Sequence, residues 1–191
     1  PYTQRTLDHL RHVSLALRNI VPAVSACLVP TVIVPISHEQ GVAYRVTAFA
    51  NEASLAEVNS ETHCRMTKLL RVRRIVRALS VVHDNAIAHG FISPNRIRLH
   101  VQNEDEVTFL GFGLHRHTFT QADLTYIAPE VLSGSLEATV AADIYSIAML
   151  VCVALVGEEH GQRLVSDSLA VLSEAGLSPA LVTLLMRGIA F

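Results

Sequence analysis

Several groupings of side chains in this sequence have types and spacings that could do chemistry. His115 and His117 would share one face of a strand, and with Asp123 they offer imidazole and carboxylate ligands of the kind zinc takes. Two imidazoles and one carboxylate on a loop fall short of a closed site, and no H-E-x-x-H occurs among the 10 histidines. The expectation for His115-Arg116-His117 is a solvated loop, with no metal. Ser93 lies close to His89, but no G-x-S-x-G and no third orienting group accompany them, so nucleophilic catalysis is not expected. Arg71, Arg73, Arg74 and Arg77 could grip phosphate or an acidic protein surface through bidentate contacts. No aromatic residue interleaves with them, so the stacking part of single-strand recognition is missing. Lys68 is the only lysine, so any chemistry that needs an amine has one candidate.

The elements that must position these groups follow from periodicity. Residues 1–19 read as an amphipathic helix. Two β-branched runs follow, Val24–Ile36, broken by Pro30 and Pro35, and Val42–Phe49, with a hairpin-like turn at His38-Glu39-Gln40-Gly41. Ser54–Val58 reads as a short helix. Cys64–Asp84 is the clearest helix: Leu69, Val72, Ile75, Val76, Leu79 and Val82 form the apolar arc, and the four arginines are expected on the opposite side. Two short β segments, Arg96–Val101 and Val107–Leu110, are joined by the acidic turn Asn103-Glu104-Asp105-Glu106. Thr139–Val156 is almost continuously apolar and near the length of a bilayer span. Asp143 within it is costly in lipid, so a buried core helix is expected and no membrane span. Helices over Gln162–Ala175 and Ser178–Ile189 close the chain, the last capped by Ser178 with Pro179 at its first position.

Composition bounds the class. Of 191 residues, 50% are hydrophobic and 17% charged, which excludes a disordered chain. A net charge of −2 provides no overall polybasic field for nucleic acid. Cys27, Cys64 and Cys152 are odd in number, far apart and without a C-x-x-C pair, which argues against a disulfide framework or structural zinc and for a reducing, cytoplasmic setting. Cys64 and Cys152 read as small core residues. The chain begins at Pro1 and ends at Phe191 inside an apolar helical pattern, as expected of a processed chain or a piece of a longer one. A mean hydropathy of +0.37 with few aromatics is expected of a compact, helix-rich chain or of one that buries surface against partners.

Three landmarks stand in order after the long helix. His89-Gly90-Phe91-Ile92-Ser93-Pro94-Asn95-Arg96-Ile97 resembles a protein-kinase catalytic loop, Phe109-Leu110-Gly111-Phe112-Gly113-Leu114 resembles the strand and magnesium-binding D-F-G, and Tyr126-Ile127-Ala128-Pro129-Glu130-Val131-Leu132 contains A-P-E intact. Ala142-Asp143-Ile144-Tyr145-Ser146 is similar to the start of the apolar helix through the large lobe's centre. The chain thus resembles the protein-kinase superfamily, firmly from Cys64 to Gly157 and loosely over 5–190. The resemblance implies an α+β fold in one domain: a small-lobe remnant over 1–52, mostly two-stranded, and a helical large lobe over 53–191.

The same resemblance implies lost chemistry. Kinase phosphoryl transfer is positioning plus electrostatics. Phe91 stands where a carboxylate accepts the substrate proton, Gly111 where an aspartate binds magnesium, Arg96 where an asparagine holds a second magnesium, and Ser93 where many kinases carry a lysine. The glycine-rich phosphate cover and strand lysine lie before residue 1 or do not exist; Lys68, in the helix before the loop, cannot substitute. Asp8 sits loosely where that lysine's glutamate partner would be. The matched residues with packing or capping roles in the family are His89, Phe112, Gly113, Pro129, Glu130 and Asp143, with Asp143 expected to bond the loop backbone. The arginine that meets the A-P-E glutamate in the family would come after Phe191, so Glu130 is expected to be unpaired or met by another group such as Arg187. Scaffold kept and chemistry lost is the pattern of pseudokinases.

The expected function is therefore a catalytically inactive kinase-like module without cofactor, binding protein as a scaffold or allosteric subunit of a larger assembly. Arg71, Arg73, Arg74 and Arg77 are its candidate contact residues. Two alternatives stand beside it. One is an atypical ATP-binding phosphotransferase using Glu104, Asp105 or Asp123. The other is a nucleic-acid-associated subunit using the arginine face.

Overall fold

Alternation, capping and one long apolar run account for the elements. The computed structural model describes Asp8, His12 and residues 31–37, 42–47, 52–100, 107–112, 120–134 and 139–190. Of the expected first helix, Asp8 and His12 are helical and exposed; the rest of it lies outside the described residues, as do the turns at 38–41 and 103–106. β1 (Thr31–Ser37) pairs antiparallel with β2 (Val42–Thr47), from Thr31 opposite Thr47 to Val34 opposite Tyr44. The register shifts between Pro35 and Ser37, as suits a proline that cannot donate to the ladder.

A second, three-stranded antiparallel sheet is built from β3 (Ala53–Ser54), β4 (Ile97–Leu99) and β5 (Val107–Phe109). The two later segments were expected; β3 is a two-residue strand, too short for any period to reveal. Ser54 ends β3 and caps α1 (Leu55–Ser60): the Glu57 N–H donates to Ser54 Oγ at 3.1 Å and the Ser54 N–H to Glu57 Oε2 at 2.6 Å.

The remaining helices are α2 (Arg65–His83), α3 (Pro129–Ser133), α4 (Val140–Val156), α5 (Gly161–Glu174) and α6 (Pro179–Ile189). α4 is the axis of the core, with α2, α5 and α6 packed against it. Met149 and Cys152 on α4, Ile75 and Val82 on α2, and Leu164 and Leu172 on α5 are fully buried. Each such aliphatic side chain contributes roughly 1.5–3 kcal/mol by leaving water. α6 approaches α4 so closely at Gly188 that a Cβ there would lie 2.8 Å from Ala148 Cβ. α5 is interrupted at Asp167 (φ −152°, ψ 69°), whose Oδ1 accepts the Ala170 N–H and so recaps the second half. α6 begins as its sequence dictates, with Ser178 Oγ accepting the Leu181 N–H and Pro179 in the first turn.

The fold is α+β. The long apolar run is a buried core helix, and no helix among the described residues is long and apolar enough to cross a membrane. Two expectations are corrected. Cys64 is exposed rather than core, because it is the N-cap of α2, ahead of the buried stretch that begins at Val72. Val76 is 43% exposed, because at 100° per residue it falls at the edge of the arc centred on Ile75, Leu79 and Val82.

Candidate functional site

The segment between α2 and β4 is held by one carboxylate. Asp143 lies in the first turn of α4, which Thr139 caps by accepting the Ala142 N–H at 3.1 Å. Its Oδ2 accepts the His89 N–H at 2.7 Å and its Oδ1 the Gly90 N–H at 2.8 Å. His83, the last residue of α2, places Nε2 2.8 Å from the same Oδ2. Asp143 has no solvent exposure, so three polar groups replace the water it has lost. The end of α2, the following loop and the start of α4 are thereby joined at one point.

Aromatic packing fixes the loop from the other side. His89 is fully buried, and its Nδ1 accepts the Phe91 N–H at 3.1 Å. Its ring centroid lies 4.3 Å from that of Phe112 and 5.7 Å from that of Phe109, and the two phenyl rings meet edge-on at 6.3 Å. Phe91 is 1% exposed, and the Arg96 guanidinium sits 4.7 Å over its ring. Gly111, beside Phe112, is buried and has φ +94°, a conformation any Cβ would strain. An aspartate there would meet strain as well as burial.

A second clasp joins this loop to the segment after it. Ser93 Oγ donates to Asp123 Oδ1 at 2.6 Å, while the Thr120 N–H and Oγ1–H donate to Asp123 Oδ2 at 3.0 and 2.7 Å. Burial pushes the Asp123 carboxyl up, but these hydrogen bonds and the Arg96 charge outweigh it and hold it below the usual carboxylate range. Asp123 is 1% exposed with both oxygens engaged.

His89, Phe91, Ser93, Gly111, Phe112 and Asp143 thus form one buried neighbourhood, with half-buried Arg96 at its edge. Gly113 and the His115–His117 pair lie outside the described residues, as do Glu104 and Asp105. Among the described residues no three His, Cys, Asp or Glu side chains converge as a metal site. Pro129 opens α3 from an exposed position. Glu130 Oε1 is buried with no hydrogen-bond partner, and no ion pair among the described residues joins Glu130 to Arg187.

The four arginines do not form one face. Arg71 and Arg73 are two residues apart and so point to nearly opposite sides of α2. Arg71 turns inward, donating to the Val58 carbonyl at 2.7 Å and to Asn59 Oδ1 at 2.9 Å, which secures the C-terminal turn of α1. Arg74 is half-buried, and Arg73 and Arg77 are exposed. Lys68 lines a cavity of about 320 Å³ between Asn59, His63 and Arg65 on one side and the chain around Gly157 on the other. That places it about 22 Å along α2 from His83, at the far end from the loop.

Sequence reasoning does not single out His83, and it offers Asp123 as a metal ligand or proton acceptor rather than as the partner of Ser93 and Thr120. Thr120-x-x-Asp123 is a capping-box spacing and could have flagged the contact with Thr120. No local signal marks His83. No protein-family model matches the chain, and no curated protein matches it.

Proposed function

We propose that the chain is a kinase-like module that has lost phosphotransfer and works by binding protein. The observation that carries this is the occupancy of the loop. The base position holds Phe91, packed at 1% exposure under Arg96, and the metal-ligand position holds Gly111. The nearby carboxylates Asp143 and Asp123 are spent on backbone and hydroxyl groups. A loop so engaged has the order a catalytic segment needs and none of its acid–base or metal-binding groups. On this reading 1–52 is the small-lobe remnant and 53–191 the large lobe.

A thermal-shift titration with ATP, with and without magnesium, tests the reading. A ligand at ~100 times its dissociation constant adds about 2.7 kcal/mol, or roughly 5–11 °C for a domain of this size. The expected result is that magnesium adds nothing to any shift ATP gives alone. A shift that requires magnesium would bring the phosphotransferase alternative forward.

A further inference from the structure

Helix α2 carries six cations, Arg65, Lys68, Arg71, Arg73, Arg74 and Arg77, and no Asp or Glu between Arg65 and His83. The whole chain has a net charge of −2, so this helix opposes the sign of the protein around it. One side of α2 is buried against α4 through Val72, Ile75, Leu79 and Val82. The other side is not polar throughout. Met66, Leu70 and Val81 are 63%, 50% and 37% exposed, and the exposed Arg73 and Arg77 lie between Leu70 and Val81.

At 100° per residue these five side chains fall within an arc of about 80° and run about 22 Å along the axis. They lie on two adjacent i, i+4 rows in succession, an apolar pair Met66–Leu70 and then Arg73–Arg77–Val81 further along the axis, the kind of ridge a second helix can pack against. Arg73 and Arg77, themselves i and i+4, repel each other and enter none of the ion pairs formed among the described residues.

We infer that this face of α2 is the docking surface for an acidic amphipathic helix of a protein partner, with apolar side chains meeting Met66, Leu70 and Val81 and carboxylates meeting Arg73 and Arg77. The inference rests on the reading of the chain as a protein-binding module and names its surface. Charge complementarity selects the sign of the partner, and the apolar side chains select its class. A nucleic-acid duplex presents phosphates but little to cover methionine and leucine. A bilayer favours an apolar face with cations at its borders, whereas here Arg73 and Arg77 sit between Leu70 and Val81 within the same exposed arc.

The test uses the full chain and a fluorescent synthetic helix of roughly 18 residues, long enough to hold helical structure, with leucines at i, i+4 and glutamates flanking them. Anisotropy should show saturable, salt-weakened binding, lost when the peptide's glutamates are replaced by glutamine. Arg73→Glu with Arg77→Glu should weaken it ~10-fold or more, and Arg73→Lys with Arg77→Lys should largely retain it. Leu70→Asp should also weaken it, with circular dichroism unchanged because the site is exposed. Charge-reversal variants that bind within about twofold of wild type would overturn the assignment. So would binding of phosphatidylserine vesicles or duplex DNA in place of the peptide. A parallel phosphotransfer assay separates the two levels: an inactive chain that ignores the peptide loses only this surface, whereas an active one loses the binding-module reading itself.

Discussion

The carboxylate of Asp143 accepts the backbone N–H of His89 at 2.7 Å across 54 residues of sequence. The adjoining Gly90 N–H completes the pair at 2.8 Å. Backbone donors buried without a partner are expensive, so one aspartate at the start of the core helix dictates the path of the whole loop. The loop's own side chains then fall into place around it: His89 on Phe109 and Phe112, Phe91 under Arg96, Ser93 on Asp123.

Asp143→Ala leaves the His89 and Gly90 donors unmet in a buried site. The expected cost is about 3–5 kcal/mol, the range for breaking a buried charged network. Asp143→Asn keeps one acceptor oxygen and should cost about 1–3 kcal/mol. Urea denaturation of both variants checks this ordering. An alanine variant within about 1 kcal/mol of wild type would show that the loop is held by packing alone.

Acid stability should report Asp123. Its carboxyl sits below the usual range in the folded chain, so the contribution is present above the unfolded value of about 3.9 and is lost as pH falls through the folded value. Denaturation midpoints measured from neutral pH down to about pH 3 should therefore fall less for Asp123→Asn than for wild type. The variant should already be about 1–3 kcal/mol weaker at neutral pH, since its amide cannot accept at both positions. Parallel curves would remove Asp123 from the acid response.

The two described cysteines should separate cleanly by reactivity. Hydrogen bonds from the Thr67 side chain and backbone pull the exposed Cys64 thiol down, while burial pushes Cys152 up to about 12. A thiol reagent at neutral pH should label Cys64 on the order of 100-fold faster than Cys152, with Cys152 reacting only on unfolding. Peptide mapping after timed labelling gives the ratio. Native-state labelling of Cys152 at a similar rate would contradict its placement in the core.

The strong periods were readable in sequence: α2, the apolar α4 and the Ser178-Pro179 start of α6 all lie where the residues indicate, within a residue or two. What escaped depends on tertiary contact. Arg71 is charged and the period puts it with the arginines opposite the apolar arc, yet the carbonyl end of α1 draws it inward. Ala53–Ser54 is a strand only because Leu99 and Arg98 lie opposite it. His83 pairs with Asp143 from a helix end where nothing local distinguishes it from a solvated histidine. The loop residues were visible as a pattern, but their mutual engagement, above all Ser93 with Asp123, is a product of the fold.

On the proposed reading this loop supports no phosphotransfer. The direct measurement is incorporation of label from [γ-³²P]ATP into the full chain and into a general protein acceptor, with magnesium, beside the Phe91→Ala variant. No incorporation above background is expected for either protein. Magnesium-dependent incorporation that scales with the chain's concentration and survives Phe91→Ala would contradict that reading, and would mean that a carboxylate elsewhere takes the substrate proton.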